Sequence, residues 1–109
     1  MKYQEIKDFA VNVIREEFAS AGISIKQIIL FGSQSHGNSR PDSDWDFLVC
    51  VGKELSFPEK AKISTEIQTK LAEKLIDVDI IIKSEARLEK ERNNVGVITY
   101  YAVKNGVSV

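Results

Sequence analysis

Residues 31–49 read FGSQSHGNSRPDSDWDFLV and place two short motifs at the ends of a polar loop. A Gly-Ser pair follows the apolar run 28–31, which is too short for a helix and predicts a buried strand entering a tight turn. An Asp-Trp-Asp triplet opens a second apolar run, 44–51, whose Trp, Phe and Val residues favour another strand. The sequence therefore predicts two strands joined by a polar loop with one motif at each end.

Asp44 and Asp46 are predicted to share one face of their strand, because side chains alternate between the two faces. They would lie roughly 7 Å apart along the chain, at a rise of about 3.4 Å per residue. Two acids on one face repel each other unless a cation lies between them. Carboxylate oxygens suit Mg²⁺, which usually takes its remaining ligands from substrate phosphates, and we therefore predict a magnesium site on this strand.

A third acid is predicted on a later strand, residues 78–82, within the sequence Leu-Ile-Asp-Val-Asp-Ile-Ile-Ile. Asp79 is flanked by Val78 and Ile80, so burial of its charge would require a partner, and a metal ion would supply one. Asp77 shares the same face by alternation, and the spacing alone does not choose between the two acids.

Gly32 and Ser33 are small residues at a strand end, where backbone N–H groups can approach phosphate oxygens and the Ser33 hydroxyl adds a donor. A phosphate cradle with two or three carboxylates is typical of phosphoryl or nucleotidyl transfer assisted by ions about 3.5–4 Å apart. The single histidine, His36, lies in the polar loop, so a catalytic triad is hard to assemble. An EF-hand is excluded because Phe47 and Lys53 stand where its loop needs Gly and Glu.

The remaining sequence predicts helices packed on a small sheet. Apolar residues at three- and four-residue spacing indicate one helix over residues 3–18 and another over residues 63–75, the latter preceded by a capping box at residues 56–59. A last helical pattern is predicted from a cap at Ser84 to Lys104. The predicted fold class is α/β (α+β), with a small mixed sheet of three or more strands flanked by helices.

Length and composition limit the possible function classes. The 109 residues are predicted to form a single domain, residues 1–109. Lys and Arg total 15 against 16 Asp and Glu, a net charge of -1 that argues against nucleic acid as a direct ligand. A single cysteine and a single histidine provide neither an internal disulfide nor a structural zinc site, which indicates the reducing cytoplasm. No apolar run approaches the ~20 residues that span a bilayer, so no membrane association is expected.

The two motifs together resemble a known pattern. The Gly-Ser pair, ten residues and then the Asp-Trp-Asp triplet match the GSx10DxD motif of the polymerase-beta-like nucleotidyltransferase superfamily, and residues 31–49 resemble its minimal nucleotidyltransferase (MNT) branch. The resemblance covers residues 28–82, and the segment ending Tyr-Tyr-Ala-Val-Lys-Asn-Gly-Val is also similar to that branch. The resemblance implies the polymerase-beta-like palm fold.

The resemblance also implies residue roles. Two Mg²⁺ ions and the triphosphate of ATP would be held by acids and by the Gly-Ser pair, and the family carries its third acid as Val-Asp-apolar, which favours Asp79 over Asp77. Relatives often have basic or aromatic residues after the Gly-Ser pair, where this chain has Gln34, Ser35 and His36, with Arg40 as a nearby cation. The implied catalytic and metal-binding residues are Asp44, Asp46 and Asp79, and the implied nucleotide-binding residues are Gly32 and Ser33.

The implied activity is transfer of a nucleoside monophosphate, AMP from ATP, to an acceptor hydroxyl with release of pyrophosphate. Larger relatives carry an extra domain that selects the acceptor, and 109 residues leave no space for one, so the acceptor is expected to be a partner protein. In the minimal branch the implied partner is a helical HEPN-type ribonuclease toxin, which the nucleotidyltransferase restrains as an antitoxin. Two alternatives stay open: an antitoxin that acts by binding alone, and a homo-oligomeric enzyme that modifies a small molecule.

Overall fold

Four strands form one sheet in the computed structural model, which describes residues 1–37 and 43–109. Across the sheet the order is β3-β2-β1-β4, with β2 antiparallel to β1 and parallel to β3, and β4 antiparallel to β1. The predicted mixed sheet flanked by helices is confirmed, whereas the loop cation Arg40 lies outside the described residues. The strands are β1 Ile25–Phe31, β2 Trp45–Val51, β3 Val78–Ser84 and β4 Val107–Ser108.

Helices α1 (Tyr3–Ser20) and α2 (Phe57–Ala72) cover one face of the sheet, as the apolar spacing predicts. The capping box of α2 is present, because the Ser56 hydroxyl accepts a hydrogen bond from the Glu59 N–H at 3.2 Å. The core between these helices and the sheet contains buried side chains from all three layers: Ile6, Ala10, Ile14 and Phe18 of α1, Ile63, Ile67 and Leu71 of α2, and Trp45, Phe47, Val49 and Val51 of β2.

The opposite face of the sheet is covered by two short helices, α3 (Glu85–Glu91) and α4 (Ile98–Asn105). The prediction of one helical pattern from Ser84 to Lys104 is therefore wrong. The Asn94 side chain accepts a hydrogen bond from the Gly96 N–H at 3.1 Å, and such local side-chain bonds favour a turn over a continued helix. This face buries a smaller apolar cluster, formed by Ile29, Phe31, Leu48, Cys50, Leu88 and Ala102.

Strand alternation decides which side chains of β2 reach the site. Trp45 and Phe47 point into the core under α1 and α2, while Leu48 and Cys50 face α3 and α4. Asp46 therefore lies on the α3 and α4 side, at the end of the strand where β2 begins. Among the described residues, no helix has both the length and the apolar character required to cross a membrane.

The buried Glu17 of α1 forms an ion pair with Lys70 of α2. The Lys70 ammonium donates to the Glu17 carboxylate and lowers the pKa of Glu17 below its ordinary value. A carboxylate with a lowered pKa stabilises the fold above its unfolded pKa of about 4.3, and this contribution is lost as the pH falls through the folded pKa.

We expect Glu17→Gln to lower the free energy of unfolding at pH 7 by about 1 kcal/mol or less, because water screens the exposed Lys70 end of the pair. Urea unfolding at several pH values checks this. The difference from the wild type should shrink below pH ~4, and Glu16→Gln, on the exposed side of the same helix, should change little. A difference that stays constant down to acidic pH would contradict the role of the charge.

Candidate functional site

Asp46 and Asp79 lie side by side on neighbouring strands. They are register partners in the parallel pair of β2 and β3, so their side chains project on the same face of the sheet. Asp44 is exposed and lies just before β2, where the N–H of Trp45 donates to the Asp77 carbonyl at 3.0 Å. The structure therefore gathers the acids of two separate sequence segments at one end of the sheet.

The electrostatic environment of Asp46 disfavours its charge. Burial raises the pKa of Asp46 above its ordinary value, and the Asp79 and Asp44 carboxylates raise it further by repulsion. Since the folded state holds the proton more tightly than the unfolded chain, ionisation of Asp46 at neutral pH opposes folding. Carboxylates whose pKa is shifted by burial and by neighbouring like charges occur at functional sites more often than elsewhere.

Gly32 touches the Asp46 carboxylate directly. Its backbone has a φ of +73°, a conformation that favours glycine, and a Cβ added there would overlap Asp46 Oδ2. Because β1 and β2 pair antiparallel, with Phe31 opposite Asp46, the end of β1 meets the start of β2 at this point. The Gly-Ser motif and the Asp-Trp-Asp motif, ten residues apart in sequence, are thus in contact in the fold.

Ser33 is exposed beside this contact. It lies in a single 3-10 turn, Gly32–Gln34, in which the carbonyl of Gly32 accepts the Ser35 N–H at 3.2 Å and the Ser35 hydroxyl at 2.8 Å. These two hydrogen bonds hold the turn in place.

Asp77 and Asp79 are both exposed and both border a cavity of about 360 Å³ next to the acids. The cavity also borders Asp44 but not Asp46. Asp79, unlike Asp77, is also the register partner of Asp46 and acts on its pKa. The cavity is lined by Asp44, Gln68, Ala72, Ile76, Asp77, Val78 and Asp79.

The carboxylate oxygens at this end of the sheet suit a hard divalent cation that takes its other ligands from a substrate. The Asp79 and Asp44 carboxylates both repel that of Asp46, so a cation here would relieve the repulsion, and Mg²⁺ takes oxygen ligands. In the described part of the chain, however, no group of three or more His, Cys, Asp or Glu side chains is arranged so that it could hold a metal ion. An ion here would need further ligands from phosphate oxygens or water.

Sequence reasoning missed two residues that support the site. Gln34 belongs to the polar loop, yet its side chain is fully buried, and its Nε2 donates to the Ser43 carbonyl at 3.1 Å. Tyr3, placed in the apolar stripe of α1, donates its hydroxyl to the Gln34 carbonyl. Composition offers no signal for either contact, because a buried glutamine and an exposed one look alike in a polar run. His36 is exposed in the loop, as expected.

Comparison with protein families identifies one match. The sequence model of the family described as "Polymerase beta, Nucleotidyltransferase" matches residues 12–104, which include both motifs and all the acids described above. Among curated protein sequences, none matches the chain significantly.

Solved structures share the fold. One solved structure, described as a minimal nucleotidyltransferase, shares 20% sequence identity with this chain at a TM-score of 0.62. The match covers 100% of this chain and 97% of that chain. A toxin-antitoxin structure with AMP-PNP has 24% identity and a TM-score of 0.63, covering 89% of this chain and 69% of that one. A complex of a tri-AMPylated HEPN toxin with MNT antitoxin from Shewanella oneidensis has 22% identity and a TM-score of 0.61, covering 97% and 70%.

Proposed function

This chain belongs to the polymerase beta nucleotidyltransferase family, and we propose that it transfers AMP from ATP to a hydroxyl group of a partner protein, with Mg²⁺ as cofactor. One observation carries the proposal: Asp46 lies between Gly32 and Asp79 and so unites the Gly-Ser motif with the acids of two strands. The Gly-Ser turn lies beside the Asp46 carboxylate, so phosphate oxygens bound at its backbone N–H groups and at Ser33 would lie close to a cation held by the acids.

Each residue then has a role in the transfer. Asp44, Asp46 and Asp79 would hold Mg²⁺, which when bound neutralises phosphate charge and lowers the pKa of the acceptor hydroxyl. Ser33 donates a hydrogen bond to the departing phosphates. Asp79, beside the cavity, orients the acceptor and accepts its proton.

The bond changes are those of a nucleotidyl transfer. The acceptor oxygen bonds to the α-phosphorus of ATP, and the bond from that phosphorus to the oxygen bridging the α- and β-phosphates breaks. Pyrophosphate leaves with the electron pair of that bond, and the proton of the acceptor passes to Asp79. The protein contributes mainly position and electrostatic stabilisation to this reaction.

The proposed acceptor is a helical HEPN-type toxin, which this chain would restrain as its antitoxin. The support is the shared fold of structures in which an MNT antitoxin accompanies a HEPN toxin, one of them tri-AMPylated. Most residues that line the cavity beside Asp79 are exposed, so the cavity is accessible to an acceptor side chain from another protein. We also propose the cytoplasm as the compartment of the reaction, since a single cysteine provides no internal disulfide.

The experiment compares Asp79→Asn with its neighbour Asp77→Asn. We expect wild-type protein with Mg²⁺ and ATP to add the mass of AMP to a HEPN partner protein, detected by intact mass spectrometry. Asp79→Asn should lower the rate by about a thousandfold, since it removes a group that acts on both cation and acceptor.

Asp77→Asn is the matched control, because Asp77 shares the cavity and the exposure of Asp79 but is not the register partner of Asp46. It should retain the wild-type rate within about threefold, a smaller change than the tenfold that about 1.4 kcal/mol represents. Equal loss in both variants would show that the cavity needs its overall negative charge and not Asp79 in particular.

A further inference from the structure

Gln34 connects the two motifs across the polar loop. It follows Ser33 directly in sequence, its side chain is 0% exposed, and its Nε2 donates to the carbonyl of Ser43 at 3.1 Å. Ser43 in turn directly precedes Asp44. A single buried amide therefore ties the phosphate-binding turn to the start of the acidic motif.

Tyr3 anchors the same loop to helix α1. Its hydroxyl donates to the Gln34 carbonyl, which also accepts the N–H of Gly37 at 3.3 Å. Its ring packs on Trp45 at a tilt of 31°, with centroids 5.1 Å apart, and a Cβ added at Gly37 would lie 3.7 Å from its Cζ atom. Trp45 stands between Asp44 and Asp46, so Tyr3 contacts both ends of the loop.

The orientation of the Trp45 indole ring depends on its packing against neighbouring side chains. Trp45 is 1% exposed, and its Nε1 has no hydrogen-bond partner among residues 1–37 and 43–109. Its orientation is fixed by packing in the main core, which includes ring contacts with Tyr3 and Phe47. A shift of Tyr3 would therefore displace Trp45 and, with it, the backbone of Asp44 and Asp46 on either side.

We propose that Gln34, with Tyr3 as its second anchor, is a positioning residue that holds Ser33 and the acids in the geometry needed for transfer. The inference rests on the proposed function for what that geometry serves. Its physical basis is that a buried amide donor fixes its carbonyl partner firmly, since leaving either group unpaired in the interior is costly. Displacements of about 1 Å at a reacting centre can reduce the rate about a hundredfold.

Gln34→Met tests the proposal, because methionine keeps the length and fills the buried space but cannot donate to Ser43. We expect kcat/KM for transfer to fall about 10- to 100-fold. The emission of Trp45, the single tryptophan of the chain, should shift to the red as its packing loosens. Hydrogen exchange should accelerate at residues 33–37 and 43–46 and not in α2.

Thr99→Val is the matched control. Thr99 is also fully buried and donates to Glu91 at 2.8 Å, but it lies on α4, away from the motifs. This variant should lower the melting temperature at least as much as Gln34→Met, while its kcat/KM and Trp45 emission stay at wild-type values. Full activity and unchanged emission in Gln34→Met would overturn the proposal and make Gln34 a packing residue.

Tyr3→Phe provides a second variant if Gln34→Met does not fold. It removes one hydroxyl and keeps the ring on Trp45, so we expect a smaller loss of kcat/KM, about three- to tenfold, with faster exchange at residues 34–37. Unchanged exchange there would overturn the role of Tyr3.

A wild-type protein without transfer activity would refute only the proposed function. Hydrogen exchange and Trp45 emission would still report whether Gln34 holds the two motifs together.

Discussion

Asp46→Asn is expected to reduce nucleotide transfer at least about a thousandfold without weakening the fold. Asn keeps the shape of Asp46 against Gly32 but removes the charge that a cation would neutralise. The same change relieves repulsion from Asp79 and Asp44, which together with burial raises the pKa of Asp46. The melting temperature without nucleotide should therefore stay constant or rise, where a gain of 1 kcal/mol corresponds to roughly 4–8 °C.

The control for this change is Asp8→Asn on the exposed side of α1. Asp8 accepts a hydrogen bond from Gln4 at 2.9 Å and lies away from the acids, so its substitution should leave transfer unchanged. A lower melting temperature in Asp46→Asn would show that Asp46 is a structural acid. Retained transfer would remove it from the site.

Gly32→Ala is expected to cost both stability and activity. A left-handed backbone at a residue with a Cβ costs roughly 1–2 kcal/mol, and here the new Cβ would also overlap Asp46 Oδ2. Asp46 must move to make room, and a displacement of about 1 Å lowers the rate about a hundredfold. Transfer rates and urea unfolding measured on the same variant check both effects.

Gly22→Ala separates the two contributions. Gly22 has nearly the same backbone angle, φ +72° against +73°, but among residues 1–37 and 43–109 no heavy atom other than those of its chain neighbours lies within 4 Å of an added Cβ. It should lose only the stability that the backbone costs, roughly 1–2 kcal/mol, with transfer unchanged. Equal activities in Gly22→Ala and Gly32→Ala would contradict the contact between Gly32 and Asp46 as a requirement of the site.

Much of the fold could be predicted because burial imposes periodicity on the sequence. Apolar residues at helical spacing locate α1 and α2, and alternation places Trp45 and Phe47 in the core, opposite the face that carries Asp46. The same alternation could not separate Asp77 from Asp79. That distinction comes from the parallel register, which pairs Asp79 with Asp46.

The errors have physical causes. Residues 84–104 carry a continuous helical pattern, but a turn in which the Gly96 N–H donates to the Asn94 side chain separates α3 from α4. Strand β4 has two residues, too few for any period to appear in the sequence. The burial of Gln34 could not be predicted, because its hydrogen-bond partner is the backbone carbonyl of Ser43 and every residue type carries such a group.

Transfer of label from ATP tests the central claim most directly. The protein is incubated with Mg²⁺, a HEPN partner and ATP labelled either on the α- or on the γ-phosphate. Nucleotidyl transfer predicts that the partner acquires label from α-labelled ATP alone, that γ-label appears in pyrophosphate, and that Asp46→Asn abolishes both. Label reaching the partner from γ-labelled ATP, or no transfer from either, would contradict the assignment of this site to nucleotidyl transfer.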